Sequence, residues 1–273
     1  MSSTFLLISK KKCDIINCIE FFGGVIMSKV SILGVNFNIV NRTEASEIIF
    51  TACKNKNEYP LTVVTPNPIM VMTARENEKL RSALADADLS LADGVGIISA
   101  ANRLGTPLPE RVAGIDTGYD VLKKLAEIGG SVYLFGAKQG VAEKTAEKLT
   151  EKLPRLQIVG THHGYFDSDE EIISDIKEKA PDLLIVCLGS PRQEVWTHQN
   201  KEKLSGIGAI MCLGGALDVW AGRIKRAPAI FIKLRLEWLW RMICEPKRFA
   251  ALPKMIKFRI LTGKSRQNKK SFK

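Results

Sequence analysis

Among the 273 residues, a few carboxylates, arginines and glycine-rich turns have the type and placement to do chemistry. Asp93 closes the apolar run Leu89–Ala92 and precedes Gly94. A carboxylate at the end of a buried strand, beside a residue that lets a ligand approach the backbone, is placed to act as a general base. The same Asp also suits the N-cap of a following helix, and local sequence weighs the two readings about evenly. Gly136-Ala137-Lys138-Gln139-Gly140 lies between a strand pattern and a helix pattern. Such a turn can seat a diphosphate on a helix N-terminus. It spells neither G-x-G-x-x-G nor a P-loop, so a plain βα turn explains it as well. Arg111 can grip a phosphate or form a surface ion pair.

Two D-x-D triplets, Asp86-Ala87-Asp88 and Asp167-Ser168-Asp169, have the spelling that can hold a divalent ion on a nucleotide diphosphate. One lies on a polar turn before a strand. The other lies at a helix start, where acids and a capping Ser are expected without any metal. No metal site is predicted. His162, His163 and His198 are the only histidines, and the first two, being adjacent on a strand, point to opposite faces. No Ser/His/Asp or Cys/His set is readable. The six cysteines form no C-x-x-C pair, and several sit in apolar runs as small buried hydrophobes.

These residues need a frame. Strand runs alternate with helical patterns: a strand over 31–35, a helix over 43–55 capped by Thr43, a strand over 61–65 and a helix over 69–85. Then come a strand over 89–92, helices to about 104 and over 116–127, a strand over 131–135, and a helix from Gly140 to about 154. Strands over 157–162, 183–188 and 209–213 follow, with a helix over 168–180 between the first two, begun by a capping box of Ser168 and Glu171. This order predicts an α/β fold, a Rossmann-like parallel sheet covered by helices on both faces. In such sheets ligands bind beyond the carboxyl ends of the strands. The polar and glycine motifs fall at those ends: Thr65-Pro66-Asn67-Pro68, Asp93-Gly94, Gly136-Ala137-Lys138, Gly189-Ser190-Pro191-Arg192-Gln193 and Gly214-Gly215.

Charge divides the chain. Residues 222–273 hold 16 Lys+Arg and 2 Asp+Glu, a net of +14, while residues 1–221 hold 24 and 27, a net of −3. The basic part carries Phe231, Trp238, Trp240, Phe249 and Phe258. Aromatics interleaved with cations suit an interfacial helix at an anionic membrane better than a nucleic-acid arm. A helix is expected over 227–243, with Phe231, Leu234, Trp238 and Met242 on one side and a Lys233, Glu237, Arg241 ladder elsewhere. A Lys-rich disordered end is expected after a second amphipathic piece. No apolar stretch approaches the length of a membrane span. Three units follow: a non-structural extension at 1–26 from an upstream start codon, a catalytic domain at 27–221 and a basic membrane-associating helical appendage at 222–273.

From about Met27 to Phe249 the chain resembles the WecG/TagA/CpsF glycosyltransferase family. The matching pieces are Thr65-Pro66-Asn67-Pro68, Leu91 to Gly96, Glu110 to Asp116, Gly164-Tyr165-Phe166, Leu188 to Glu194, Gly214 to Val219, Gly222 to Pro228, Leu236-Glu237-Trp238 and Glu245 to Phe249. Ser190 stands where the pattern calls for Ala, and the 26-residue leader has no counterpart. The resemblance implies an inverting, metal-independent transferase with no cofactor, in which Asp93 deprotonates the acceptor hydroxyl. It places Thr65, Asn67, Arg111, Tyr165, Gln193 and Asp218 in the pocket; Gly136 is a substrate-binding candidate from the βα turn alone. It further implies that the appendage closes over the site and brings Arg241 and Arg248, and Arg223 with less support, to the diphosphate. Likeness to the TagA branch implies a UDP-N-acetylmannosamine donor and an undecaprenyl-diphosphate-linked N-acetylglucosamine acceptor, at the cytoplasmic face of the cell membrane. Within the family, UDP-N-acetylmannosaminuronic acid or a capsular sugar is the alternative donor. Outside it, a basic nucleic-acid-binding module is the rival; the resemblance implies no nucleic acid. A homo-oligomer is left open.

Overall fold

In a computed structural model of the chain, residues 19–22, 25–225, 227–234 and 236–270 are described. Side chains are described from 28 to 263, apart from those at 226, 229, 232, 235, 241, 247 and 248. The nine strands are β1 (Ile19–Phe22), β2 (Val25–Ile32), β3 (Val35–Asn38), β4 (Leu61–Val64), β5 (Leu89–Ser90), β6 (Ser131–Gly136), β7 (Gln157–His162), β8 (Leu183–Cys187) and β9 (Ala209–Cys212). The core helices are α1 (Arg42–Asn55), α2 (Pro68–Ala74), α3 (Glu78–Asp86), α4 (Val95–Leu104), α5 (Gly114–Ile128), α6 (Val141–Lys152), α7 (Glu170–Lys179), α8 (Arg192–Asn200) and α9 (Ala216–Trp220). Then come α10 (Ala229–Lys233), α11 (Glu237–Cys244) and α12 (Leu252–Lys270), with a 3-10 turn over Pro246–Ala251.

Six strands form the parallel sheet, in the order β5-β4-β9-β8-β6-β7. Period-2 geometry splits each apolar strand between two layers. Leu183, Ile185 and Cys187 of β8 join one apolar cluster with α1, α5, α6 and α9, while Leu184 and Val186 join another with Ile172, Ile176 and Trp196. That is why the central strands read as unbroken apolar runs. The predicted Rossmann-like class holds. All carboxyl ends lie along one edge, as a parallel sheet requires.

Several local expectations need correction. The single strand over 31–35 is two: Leu33 and Gly34, both at positive φ, turn β2 back on β3, the tight hairpin geometry that glycine favours. Here β2 begins at Val25 and pairs with β1, so residues inside the leader form strands. Asn41, not Thr43, caps α1, in a capping box with Glu44. The helix over 69–85 is broken because the Asn77 side chain accepts from the Leu80 amide and starts α3 afresh. Asp169 is the N-cap of α7, and Ser168 makes only a long bond from the Glu170 amide, so no capping box forms. Helix α8 is an element the sequence reading misses.

The basic C-terminal segment differs most from expectation. The helix over 227–243 is split at 234–236. Leu234, expected on the apolar side, is exposed, while Glu237 and Met242 are buried. Instead of a disordered end there is α12, helical to Lys270. It packs on α2 and α4. Phe258 is buried in the cluster that holds Met70, Ile97 and Cys212. Arg103 Nη2 donates to Thr262 Oγ1 at 2.9 Å, and Lys254 Nζ to Thr73 Oγ1 at 3.0 Å. Among the described residues, no helix is long and apolar enough to cross a membrane.

Candidate active site

At the carboxyl edge, the turns after β4, β5 and β9 converge with the start of α5. The Asp93 amide donates to the Pro66 carbonyl, and the Val112 amide to Ala92, which ties three loops together. Thr65 Oγ1 donates to the Cys212 carbonyl at 3.3 Å. Gly114 is required here, because a Cβ would sit 2.6 Å from Thr65 Cγ2. The loop Arg111–Ala113 is thereby held close against the end of β4.

Arg111 is the centre of this cluster. Its Nε donates to Asp93 Oδ1 at 3.1 Å, and its Nη1 donates to Glu237 Oε2 on α11. The Arg111 and Asp93 side chains are 26% and 27% exposed and that of Glu237 only 10%, so the pairings are partly shielded from solvent. Burial works to lower the Arg111 pKa, but the two carboxylates outweigh it and the guanidinium stays firmly charged. Asp93 therefore does not cap α4: the N-cap is Gly94, which makes no side-chain cap bond. Of the two readings open in the sequence, the N-cap is not observed; Asp93 turns instead towards Arg111 at the strand edge.

The other residues singled out divide by role. Asn67 Oδ1 accepts from the Ile69 and Met70 amides, so that oxygen caps α2. Gln193 is buried; its Oε1 accepts from the Gly189 and Gly214 amides at 3.2 and 3.0 Å, and its Nε2 donates to Glu194. Its amide joins the turns after β8 and β9 rather than reaching into open space. Gly136 is glycine for a packing reason: at φ +128, a Cβ would meet the Cys187 carbonyl oxygen at 2.3 Å. Asp218 of α9 pairs with Arg223 at 3.4 Å and accepts the Arg223 and Ile224 amides on its carbonyl. The structure thus joins Asp93 to Arg111, and Asp218 to Arg223. The side chains of Arg241 and Arg248 lie outside the described residues.

Tyr165 sits at the end of β7, 64% exposed, beside a depression of about 490 Å³ lined by His162, His163, Phe166 and neighbouring acids. Arg192 Nη1 donates to the Gly164 carbonyl at 2.7 Å and its guanidinium stacks 4.4 Å from the Phe166 ring. This group borders the β6–β8 part of the edge. Both D-x-D triplets are engaged with protein donors. Asp88 accepts from the Thr62 amide and hydroxyl, Asp86 pairs with His198 and Lys201, and Asp169 takes Trp196 Nε1 and Asn200 Nδ2. Burial pushes the Cys187 thiol up to about 12, which leaves no thiolate for nucleophilic chemistry there.

Sequence reasoning missed Glu237 as a site residue and gave it to a solvent ladder. The usable signal was charge: it is one of only two acids in a segment of net +14. Arg192 was legible only as part of a motif.

The chain thus combines a parallel α/β sheet with an acid–arginine pair at its carboxyl edge and a basic helical segment that reaches the pair through Glu237. Residues 30–271 match the glycosyl transferase WecG/TagA/CpsF family, and the chain belongs to that family. Among its relatives are the N-acetylglucosaminyldiphosphoundecaprenol N-acetyl-beta-D-mannosaminyltransferases of Staphylococcus aureus strains NCTC 8325 / PS 47 and MRSA252. Each is 34% identical over 249 residues, covering 90% of this chain and 96% of the relative.

Proposed function

We propose that the protein transfers N-acetyl-β-D-mannosamine from its UDP donor to N-acetylglucosaminyldiphosphoundecaprenol, by inverting displacement and without a metal ion. The observation that carries this reading is the Asp93 carboxylate at the strand edge, held by Arg111 beneath the appendage. The relatives' substrate specificity, over nearly their whole length, supports the choice of sugar and acceptor. In this mechanism an Asp93 oxygen takes the proton of the acceptor hydroxyl as that oxygen bonds to the anomeric carbon. The bond to the UDP oxygen breaks on the opposite face. Charge grows on the departing diphosphate, and Arg223, Arg241 and Arg248 are proposed to stabilise it. Thr65, Asn67, Tyr165, Asp218 and the Gly136 turn are proposed to line the donor and acceptor sites, with Gln193 setting the shape of the turns.

We assign the surplus positive charge to diphosphate and an anionic membrane surface rather than to nucleic acid. Among the described residues, seven of the ten exposed large hydrophobics lie in the appendage: Ile224, Ile230, Leu234, Ile243, Phe249, Ile256 and Ile260. Exposed apolar side chains among exposed Lys225, Lys233, Lys257 and Arg259 make an interfacial surface, with each cation adding about 1 kcal/mol near an anionic leaflet. We propose that this surface holds the enzyme at the cytoplasmic face of the cell membrane, beside its lipid-linked acceptor. A donor panel offered with purified lipid acceptor tests the assignment. Turnover of UDP-N-acetylmannosamine above UDP-N-acetylmannosaminuronic acid is expected. Transfer from the uronic acid alone would overturn the choice of sugar.

A further inference from the structure

We infer that Glu237 is a positioning residue: this carboxylate of the appendage holds Arg111 in the orientation that presents Asp93. The inference rests on the reading of Asp93 as the base and extends it to the element that keeps the base in place. Three observations support it. Glu237 is buried, on a helix within a segment that is otherwise strongly basic. Its carboxylate bonds the same guanidinium that bonds Asp93, through a different nitrogen. The guanidinium is planar, so fixing Nη1 also fixes the direction of Nε.

The arrangement has a physical logic. An arginine with a single acidic partner can rotate about its side chain. One held at two edges by two carboxylates has few orientations left. Here one carboxylate comes from the β5–α4 turn and the other from α11, 144 residues further along the chain. Undocking of α11 removes the second hold and frees Arg111, so the catalytic arrangement is complete only when the appendage is seated.

The test is a double-mutant cycle on the full chain, with UDP-N-acetylmannosamine and the lipid-linked acceptor, using Glu237→Ala, Arg111→Met and their combination. Glu237→Ala is expected to lower kcat by about tenfold or more while donor KM changes by less than about twofold. Glu237→Gln, which still accepts from Nη1, should recover most of that loss. In the Arg111→Met background, adding Glu237→Ala should cost nothing further. Losses that multiply, or a Glu237→Ala enzyme as fast as wild type, would overturn the inference. If Glu237→Ala does not fold, Glu237→Leu provides the same truncation of the acceptor with apolar bulk retained. A second readout needs no turnover: the rate of phenylglyoxal modification at Arg111, followed by peptide mass. Faster labelling in Glu237→Ala is expected, and equal labelling refutes the hold even if the wild-type chain transfers no sugar. Wild-type inactivity would defeat the functional reading alone, and the labelling result decides this one.

Discussion

Replacing Asp93 with Asn separates chemistry from structure. The amide has the shape of the carboxylate, and its Oδ1 can still accept from Arg111 Nε, now 3.1 Å from Asp93 Oδ1. Arg111 keeps its charged partner Glu237. The folding cost is then that of turning one charge-assisted hydrogen bond into a neutral one at a partly exposed site, about 1 kcal/mol or less. For a chain of this size that lowers the melting temperature by about 2–4 °C. The chemical loss is far larger. An amide cannot take the acceptor proton, and removing a positioned base costs about 10²–10⁴ in rate, about 3–5 kcal/mol of barrier. The assay is single-turnover transfer of labelled N-acetylmannosamine to the lipid acceptor, with UDP affinity by calorimetry and a thermal melt on the same samples. A variant with intact fold and UDP binding but transfer within threefold of wild type would refute the role of Asp93.

Other outcomes test the remaining assignments. The double variant Ile256→Asp/Ile260→Asp, on exposed positions one helical turn apart, should lose binding to anionic vesicles and turnover on membrane-embedded acceptor with no change in melting; unchanged vesicle binding would remove the appendage surface from the account. Gln193→Ala leaves the Gly189 and Gly214 amides without their acceptor and should cost about 3 kcal/mol in a denaturant titration, so that activity and stability fall together, unlike Asp93→Asn. Burial raises the Glu194 pKa over the hydrogen bonds that lower it, so the folded state binds this proton more tightly than the unfolded chain does. Its contribution to stability is therefore lost as pH rises from the ordinary carboxylate range towards its raised value, and below that range it exerts no penalty. Glu194→Gln should gain stability over wild type as pH rises to neutral and show no gain at acid pH, read from urea midpoints across that range.

The sheet was legible because buried parallel strands leave an unmistakable pattern: Leu183–Cys187 is apolar at every position since both faces are covered. The site loops were legible for a related reason, since polar and glycine residues that interrupt such runs mark the carboxyl edge. Helix breaks were harder. Asn77 looks like any polar residue in an amphipathic pattern, and only its bond to the Leu80 amide shows that it starts a new helix. Residue roles were hardest where one type does two jobs. Gln193 and Asn67 carry the side chains expected of substrate contacts, but Gln193 turns its amide towards backbone groups, and Asn67 caps α2 with its carbonyl oxygen. Glu237 shows the opposite case. Spacing put it in an i, i+4 ladder with Lys233 and Arg241, and periodicity does not show which face of a helix is buried.

The contact between Arg111 and the appendage bears on how a lipid-linked substrate gains access. In the proposed mechanism, a base paired with Arg111 beside α11 is partly screened from bulk water, which limits attack on the donor by the wrong nucleophile. The acceptor hydroxyl must still reach Asp93, and its lipid tail stays in the leaflet. In the proposed function, exposed apolar positions on α10, α11 and α12, together with Phe249, bring the same segment to that leaflet while Glu237 bonds Arg111 on its inner side. One element would thus serve the proposed membrane contact on one side and the proposed base on the other. Seating of the appendage at the surface and closure over the donor then become a single event, with the expectation that detergent-solubilised acceptor is turned over more slowly than acceptor in an anionic bilayer even at equal occupancy. Equal rates in the two settings would separate recruitment from catalysis and leave the appendage as an anchor alone.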